Sequence, residues 1–149
     1  MYRSVFYCLP FLFIVSLSWS GETEDIYLSK IKSLAFQAKT VRATISAAKA
    51  GCDAEKWNCE AHMSINDMKR MRGEYISRED RENGSRCKEK YTKGMEDVDG
   101  LTEKFHQIGR RLDDLKLDMS KYYQGNTPSA LKTELESANE VYKAEGEKI

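Results

Sequence analysis

The sequence predicts an all-α fold, a secreted antiparallel bundle of about four long helices in up-down topology, and two observations support it. The first is a ladder of apolar residues spaced alternately by four and three positions, with Gly94 as its only interruption. Its members are Cys87, Tyr91, Val98, Leu101, Phe105, Ile108, Leu112, Leu115, Met119 and Tyr122. This spacing keeps one side of a long helix turned toward packed neighbours. The second is that Gly, Asn and Pro residues divide the chain into segments of helical length.

The first twenty residues predict a secretory signal peptide. They contain one cation, Arg3, then an uncharged apolar stretch from Ser4 to Trp19 with small residues before Gly21. An uncleaved membrane anchor is the alternative, although the stretch is short for a membrane span and contains a proline. We therefore expect residues 1–20 to be removed and residues 21–149 to form a single helical-bundle domain.

Charge balance and motif content argue against two functional classes. Basic and acidic residues number 24 each, and loss of Arg3 with the signal peptide leaves a net charge of −1. Bulk charge therefore gives no reason to expect nucleic acid as a partner. The chain also contains no recognisable Ser-His-Asp arrangement, phosphate-binding loop or His-Glu-x-x-His element. We expect no enzymatic activity and no cofactor.

The first half of the chain predicts two helices. The first runs from about Glu24 to Ala50, and Gly51 ends it. A connection from Cys52 to Asn58 leads to the second helix, which ends in the charged stretch 78–83. The inward residues of the first helix are Tyr27, Ile31, Leu34, Ala38, Val41, Ile45 and Ala48. Those of the second are Trp57, Ala61, Ile65, Met68, Met71 and Tyr75.

The second half predicts two more helices. A turn at Asn83 and Gly84 precedes the third helix, which is the apolar ladder and ends at Gly125 and Asn126. Thr127 and Pro128 then predict an N-cap followed by proline at the first helical position. The inward residues of this fourth helix are Leu131, Leu135, Ala138 and Tyr142. Connections this short make successive helices antiparallel.

Three cysteines remain once Cys8 leaves with the signal peptide. Cys52 and Cys59 flank the first connection, whereas Cys87 follows the next turn, at the opposite end of the predicted bundle. We therefore predict a Cys52–Cys59 disulfide and a Cys87 that is free or links two chains, which allows a homodimer. A second helix that ends early, near Gly73, is the alternative, and it would let Cys87 fold back.

Weaker signals mark a glycan, a metal pair and a lipid-facing surface. Asn83 begins an N-glycosylation acceptor sequence in the predicted turn. Cys59 and His62 have a spacing that suits two metal ligands, but without further ligands nearby a disulfide and an ordinary histidine are favoured, so we expect no metal. Four methionines could form an adaptable surface that binds a lipid membrane or a partner, although core filling explains Met68 and Met71 more simply. They are Met63, Met68, Met71 and Met95.

Basic residues cluster at two places on the predicted helices. Lys69, Arg70 and Arg72 lie on the second helix, and Arg110 and Arg111 lie on the third. A solvated face is the ordinary interpretation of such clusters. On antiparallel neighbours, however, the two clusters could combine into one basic patch that faces an acidic partner.

Two segments resemble a known protein family. The first contains Ile108, Gly109, Arg110, Arg111, Leu112 and Asp113, followed after fourteen residues by Pro128, then Leu131 and Glu136. The second contains Ala50, Gly51 and Asp53, then Lys56 and Trp57. Both are similar to gastropod sperm lysins, the acrosomal proteins that open the egg vitelline envelope. The resemblance covers about fifteen residues as motif and most of the chain as architecture.

The resemblance implies a role in fertilization by non-enzymatic binding. Lysins bind the filamentous glycoprotein of the egg vitelline envelope and separate its contacts without cutting bonds, and they act from the sperm acrosomal vesicle. Arg110 and Arg111 stand at the matching arginine positions, and Lys69, Arg70 and Arg72 would add basic residues from the second helix. Two alternatives stay open: a membrane-active, fusogenic acrosomal paralogue, and an unrelated secreted helical interaction or surface protein.

Overall fold

The computed structural model describes residues 9–149, with side chains from residue 23 onward, and this part of the chain forms three helices. They are α1, Leu9–Met71; α2, Arg78–Tyr122; and α3, Ser129–Gly146. The all-α class is confirmed, but the expected count of about four helices is wrong because the first two predicted helices form one, α1. Residues 1–8 of the predicted signal peptide lie outside the described residues, and the side chains of the rest of it are not described. Between residues 9 and 149, no helix has the length and apolar character that a membrane span requires.

Gly51 does not end the first helix. It is exposed inside α1, with no atom within 4 Å of the position a Cβ would occupy, and its neighbour Cys52 is buried. A glycine within a helix costs about 1 kcal/mol relative to alanine, which burial on the same turn can offset. The predicted connection from Cys52 to Asn58 is therefore helical.

The chain reverses instead just after Met71. Gly73 has a φ of 68°, a left-handed conformation that glycine adopts without strain. The N–H of Gly73 donates to the carbonyl of Arg70 at 3.1 Å, and the N–H of Glu74 donates to that of Lys69 at 2.9 Å. This is the Schellman arrangement that satisfies the last carbonyls of a helix. The turn predicted at Asn83 and Gly84 is wrong, since both residues lie inside α2.

Ser77 fixes the start of α2. Its Oγ accepts a hydrogen bond from the backbone N–H of Asp80 at 3.0 Å, as an N-cap residue does. The carboxylate of Asp80 is in turn held by Ser77, which makes the cap reciprocal. Glu79 and Asp80 also place negative charge in the first turn, where the helix dipole favours it.

The connection between α2 and α3 agrees with the sequence prediction. Gln124 and Gly125 have φ values of 50° and 85°, and the N–H of Gly125 donates to the carbonyl of Ser120 at 2.8 Å. Asn126 follows, and α3 begins directly after Pro128. The ladder therefore ends at the predicted residues.

The chain divides into two compact units, of which the first contains parts of all three helices. Among the described residues, it comprises residues 9–38 and Ile108–Ala144. Its buried core confirms inward residues predicted for three of the four helices. They are Ile31, Leu34, Ala38, Ile108, Leu112, Leu115, Met119, Leu131, Leu135 and Ala138.

The second unit is an α1/α2 hairpin with the last residues of the chain. It comprises Lys39–Gln107 and Glu145–Ile149, and the carboxylate of Glu145 lies 3.6 Å from the guanidinium of Arg42. Cys52 packs beside Gly94, and seven residues further along α1 Cys59 pairs with Cys87, so the two helices run antiparallel. The buried residues of this unit are Ile45, Cys52, Cys87, Val98 and Phe105.

Candidate functional site

A disulfide between Cys59 and Cys87 joins the two helices of the hairpin. Their Cα atoms are 5.5 Å apart, at a sequence separation of 28. The predicted Cys52–Cys59 bridge and the free or interchain Cys87 are therefore wrong, and Cys52 is instead a buried free thiol. The reason is that α1 ends at Met71, close to Gly73, as in the alternative considered from the sequence. Cys59 and Cys87 consequently lie at the same level of the hairpin.

The hairpin end, defined as residues 60–86, has polar contacts between its helices. The amide of Asn66 donates to the carbonyl of Asp80 at 3.3 Å, and the ammonium of Lys69 lies 2.8 Å from the carboxylate of Asp80. None of residues 60–86 is buried. The disulfide at Cys59 and Cys87 is thus the strongest link that holds this segment together.

The apolar residues of the hairpin end face solvent. The apolar tip, which we define as Met63, Ile65, Met68, Met71 and Tyr75, has side chains that are 60, 46, 43, 81 and 81% exposed. These five are half of the ten large apolar side chains exposed in the described chain, and they fall within 13 residues. Such a concentration is typical of an interaction surface, whereas single exposed apolar residues are ordinary.

The residues predicted to face the core from the second helix do not do so, and that prediction is wrong. Trp57, Ala61, Ile65, Met68, Met71 and Tyr75 are all exposed. Helix α2 lies against a different side of α1, through Cys52, Cys59 and Asn66, which are seven residues apart. Apolar spacing shows which residues share a helix face, but it does not show which face a neighbour covers. The helical spacing of the apolar residues from Trp57 to Tyr75 was the sequence signal for the apolar tip.

The basic cluster at the hairpin end is balanced by nearby carboxylates. Arg70 lies 3.7 Å from Asp67, and Arg72 lies 3.9 Å from Glu74. Lys69 is bonded to Asp80 as described above. Lys69 and Asp80 are half-buried, whereas the ion pairs of Arg70 and Arg72 are exposed and contribute little to stability. The paired carboxylates do, however, neutralise the basic cluster, so the apolar tip has no net positive charge beside it.

Asp80 connects the cap of α2 with the basic cluster. Hydrogen bonds from the side chains of Lys69 and Ser77 stabilise its carboxylate and hold its pKa below the ordinary value of 3.8. The carboxylate therefore stays charged in any mildly acidic compartment.

The second predicted cluster, Arg110 and Arg111, belongs to the first unit. Both residues are exposed on α2. Arg111 lines an open groove of about 450 Å³ together with Lys30, Asp114 and Asp118. Two cations and two carboxylates give this groove no clear preference for a charged ligand. The structure thus places the two basic clusters in different compact units.

The remaining predicted sites have ordinary structural surroundings. Asn83 is half-buried within α2, and its use as a glycosylation site stays a prediction. His62 is exposed, and Cys59 cannot serve as a metal ligand because its sulfur is in the disulfide. Among the residues with described side chains, no group of three or more His, Cys, Asp or Glu could hold a metal ion.

Three tyrosines form an aromatic cluster in the first unit. The ring centroid of Tyr27 lies 6.0 Å from that of Tyr122 and 6.1 Å from that of Tyr123, and the last two rings are 4.9 Å apart. Burial raises the pKa of Tyr27 and of Tyr123, with nearby Asp118 and Glu24 as the next causes, respectively. The phenols of Tyr27 and Tyr123 therefore stay uncharged at physiological pH, and edge-to-face packing of Tyr122 on Tyr123 stabilises the cluster.

Comparison with known proteins gives no relative for this arrangement. No family model, curated protein or solved structure matches the chain.

Proposed function

We propose that this chain is a secreted, non-enzymatic binding protein of the lysin-like kind, which attaches to egg-coat glycoprotein through its apolar tip. The observation that supports the proposal is the concentration of exposed apolar side chains at the hairpin end, beyond the Cys59–Cys87 disulfide. Burying such side chains against a partner contributes about 25 cal/mol for each Å² of apolar surface removed from water.

The balanced charge of the hairpin end favours a protein partner over an anionic membrane. Helices that bind membrane surfaces usually carry an excess of Lys and Arg beside their apolar face. Here Lys69, Arg70 and Arg72 each have a carboxylate within 4 Å. An apolar surface with balanced charge is better suited to a protein surface of similar character.

An egg-coat glycoprotein is the specific partner that the lysin resemblance implies. A filamentous coat held together by apolar contacts and hydrogen bonds would be opened by a protein that competes for the apolar contacts. Exposed methionines suit such a role because their flexible side chains adapt to irregular surfaces. In this proposal the protein is stored in the sperm acrosomal vesicle and acts stoichiometrically at fertilization.

Arg110 and Arg111 are the second proposed contact with the partner. They are exposed, and they stand at the positions that match the arginines of the lysin segment. Arginine pairs with carboxylate or sulfate groups through two parallel hydrogen bonds. Exchange of both residues for glutamate should weaken binding and leave the fold intact, because neither side chain is in the core.

Dose-dependent clearing of isolated egg envelopes tests the proposal. We expect the purified protein to clear envelopes of its own species, in proportion to the amount added, without new glycoprotein fragments on a gel. New fragments would indicate an enzyme, and intact envelopes at every dose would contradict the proposal.

Membrane activity is the second candidate, which the exposed Met68, Met71 and Tyr75 also favour. A fusogenic protein would release dye from liposomes of neutral or anionic lipid at micromolar concentration. Dye release without envelope clearing would replace the first proposal with this one.

A further inference from the structure

Helix α1 has a second face of small and apolar residues within the second unit. Its α2-facing positions include Ile45, Cys52 and Cys59, each seven residues apart. A residue that follows one of these α2-facing residues by two or by five lies on the opposite side of the helix, because an α-helix has 3.6 residues per turn. The outer face of α1, as we define it, consists of Thr40, Ala43, Ala47, Ala50, Ala54 and Trp57.

This outer face is exposed and uncharged. All six residues are exposed, and the side chain of Trp57 is 75% exposed. The solvent face of a helix is normally its charged face, and charged residues make up 32% of this chain. The residues are also spaced alternately by three and four, as in the seam of a coiled coil. The face therefore has the pattern of a helix-packing surface that no other helix of the described chain covers.

We propose that two copies of this chain associate through this face, with their α1 helices antiparallel. Antiparallel pairing centred between Ala47 and Ala50 places Trp57 of one copy opposite Thr40 of the other. Ala54 then lies opposite Ala43, and Ala47 opposite Ala50. Each large side chain thus meets a smaller one, and the alanines between them let the two backbones approach closely.

The charged residues that flank the outer face favour a second copy of this chain as the partner, and they favour one antiparallel register of the two α1 helices. Lys39, Ser46, Asp53 and Glu60 lie seven residues apart along one flank of the face. In the proposed register Lys39 faces Glu60 of the other copy, and Ser46 faces Asp53. Twofold symmetry makes each of these contacts occur twice.

Other arrangements of two copies have poorer charge or size complementarity. A shift of one heptad in one direction brings Asp53 opposite Asp53 of the other copy, which is repulsive. A shift in the opposite direction keeps Lys39 beside an acidic residue, Asp53, but moves Ala54 and Trp57 beyond the outer face of the other copy. Parallel pairing stacks Trp57 on Trp57 and separates Lys39 from Glu60. Antiparallel pairing in the proposed register is therefore the arrangement that the sequence of this face favours.

The association should be reversible and weak. Residues 40–57 span about 26 Å of helix, so two such faces bury less than the roughly 1,200–2,000 Å² of a standard interface. A dissociation constant in the micromolar range is expected. The dimer does not depend on the proposed egg-coat partner, and the apolar tip is not part of it.

Sedimentation velocity of the purified full chain, from about 1 to 100 µM, measures this association. We expect a monomer–dimer equilibrium that Ala47→Glu weakens about tenfold or more, because each copy then places a charged, bulky side chain at the centre of the seam. Lys39→Glu and Glu60→Lys should each weaken it as well. The two substitutions together should restore the dimer, since the swapped charges again pair across the symmetric interface.

Two matched variants separate this face from other surfaces. Lys93→Glu makes the same charge change as Lys39→Glu on an exposed residue of α2 and should leave the dissociation constant within about twofold. Met68→Ser/Met71→Ser removes apolar surface from the tip and should also leave the dimer unchanged. Circular dichroism shows whether each variant keeps its helices.

Three results would overturn the proposal. They are a monomer at every concentration, a dimer that Ala47→Glu does not weaken, and a charge-swapped double variant that stays dissociated. A dimer that is lost with the apolar tip would likewise place the contact elsewhere.

Discussion

The sulfur of Cys52 lies 2.7 Å from the position that a Cβ on Gly94 would occupy. Real Cβ atoms do not approach other atoms so closely, so α1 and α2 are in contact here with no room for a side chain at Gly94. Cys52 is buried, with 6% of its surface exposed, and has one side-chain torsion through which to move away. This contact lies one heptad from the Cys59–Cys87 disulfide, and both have the same antiparallel register.

Gly94→Ala should lower the free energy of unfolding when residue 52 is cysteine and raise it when residue 52 is alanine. With Cys52 present, the added methyl group overpacks the contact, and we expect a loss of about 1 kcal/mol or more in the free energy of unfolding. In a Cys52→Ala background the clash is absent, and alanine should stabilise α2 by up to about 1 kcal/mol. Urea unfolding of the four proteins in this cycle gives the coupling.

Gly100→Ala is the matched control for that cycle. Gly100 lies in the same helix with no atom within 4 Å of the position a Cβ would occupy, so alanine should stabilise the helix in both backgrounds. Equal effects of Gly94→Ala with and without Cys52 would show that the two residues are not in contact.

Loss of the Cys59–Cys87 disulfide should loosen the hairpin end first. A bridge between cysteines at a sequence separation of 28 contributes about 3–4 kcal/mol in the chain-entropy account. Because residues 60–86 have no buried side chain, we expect the largest gain in hydrogen exchange there when both cysteines are replaced by alanine. Residues 108–138 should change little.

Peptide mapping of the unreduced protein checks the pairing directly. A joined pair of peptides that contain Cys59 and Cys87 is the expected product, with Cys52 alkylated only after unfolding. A Cys52–Cys59 peptide would contradict the hairpin arrangement.

Acid should weaken the start of α2 through Asp80. Its pKa is lowered in the folded state, so its contribution to stability is present above the ordinary, unfolded pKa of 3.8 and is lost as the pH falls through the folded value. Hydrogen exchange of residues 78–83, corrected for the intrinsic rate, should therefore be constant from neutral pH to about 5 and rise below about 4. Asp80→Asn should expose these amides at neutral pH and remove the acid transition.

Asp99→Asn serves as the control, since Asp99 is exposed on the same helix and distant from the cap in sequence. An acid transition that survives Asp80→Asn, or that disappears with Asp99→Asn, would assign the effect to another group.

Local periodicity was sufficient to predict α3 and the part of α2 from Cys87 onward, but not the start of α2 or the ends of α1. The ladder from Cys87 to Tyr122 lies within one continuous helix, and Gly125 follows it with the left-handed φ of a helix end. Gly51 and Gly73 look alike in sequence, yet only Gly73 of these two has a positive φ. The difference depends on tertiary contacts of Cys52 with α2, which no local pattern contains.

The candidate surface was visible in the sequence but was assigned to the wrong side. The stripe that contains Met68 and Met71 has helical spacing, and such a stripe is usually core. Which side α2 covers is decided by the register of Cys59 with Cys87, and this depends on where the chain reverses. A misplaced turn therefore gave both the wrong disulfide and the wrong buried face.

Binding of purified egg-coat glycoprotein by this protein tests directly whether the apolar tip is the binding surface. Biolayer interferometry would compare the wild-type chain with Met68→Ser/Met71→Ser at the apolar tip. Leu117→Ser is the matched control, because Leu117 is an exposed apolar residue, 55% exposed, on α2 in the other unit. We expect saturable binding that the tip variant weakens about tenfold or more and that the control variant leaves within about twofold. No saturable binding by the wild-type chain, or equal binding by the tip variant, would contradict this expectation.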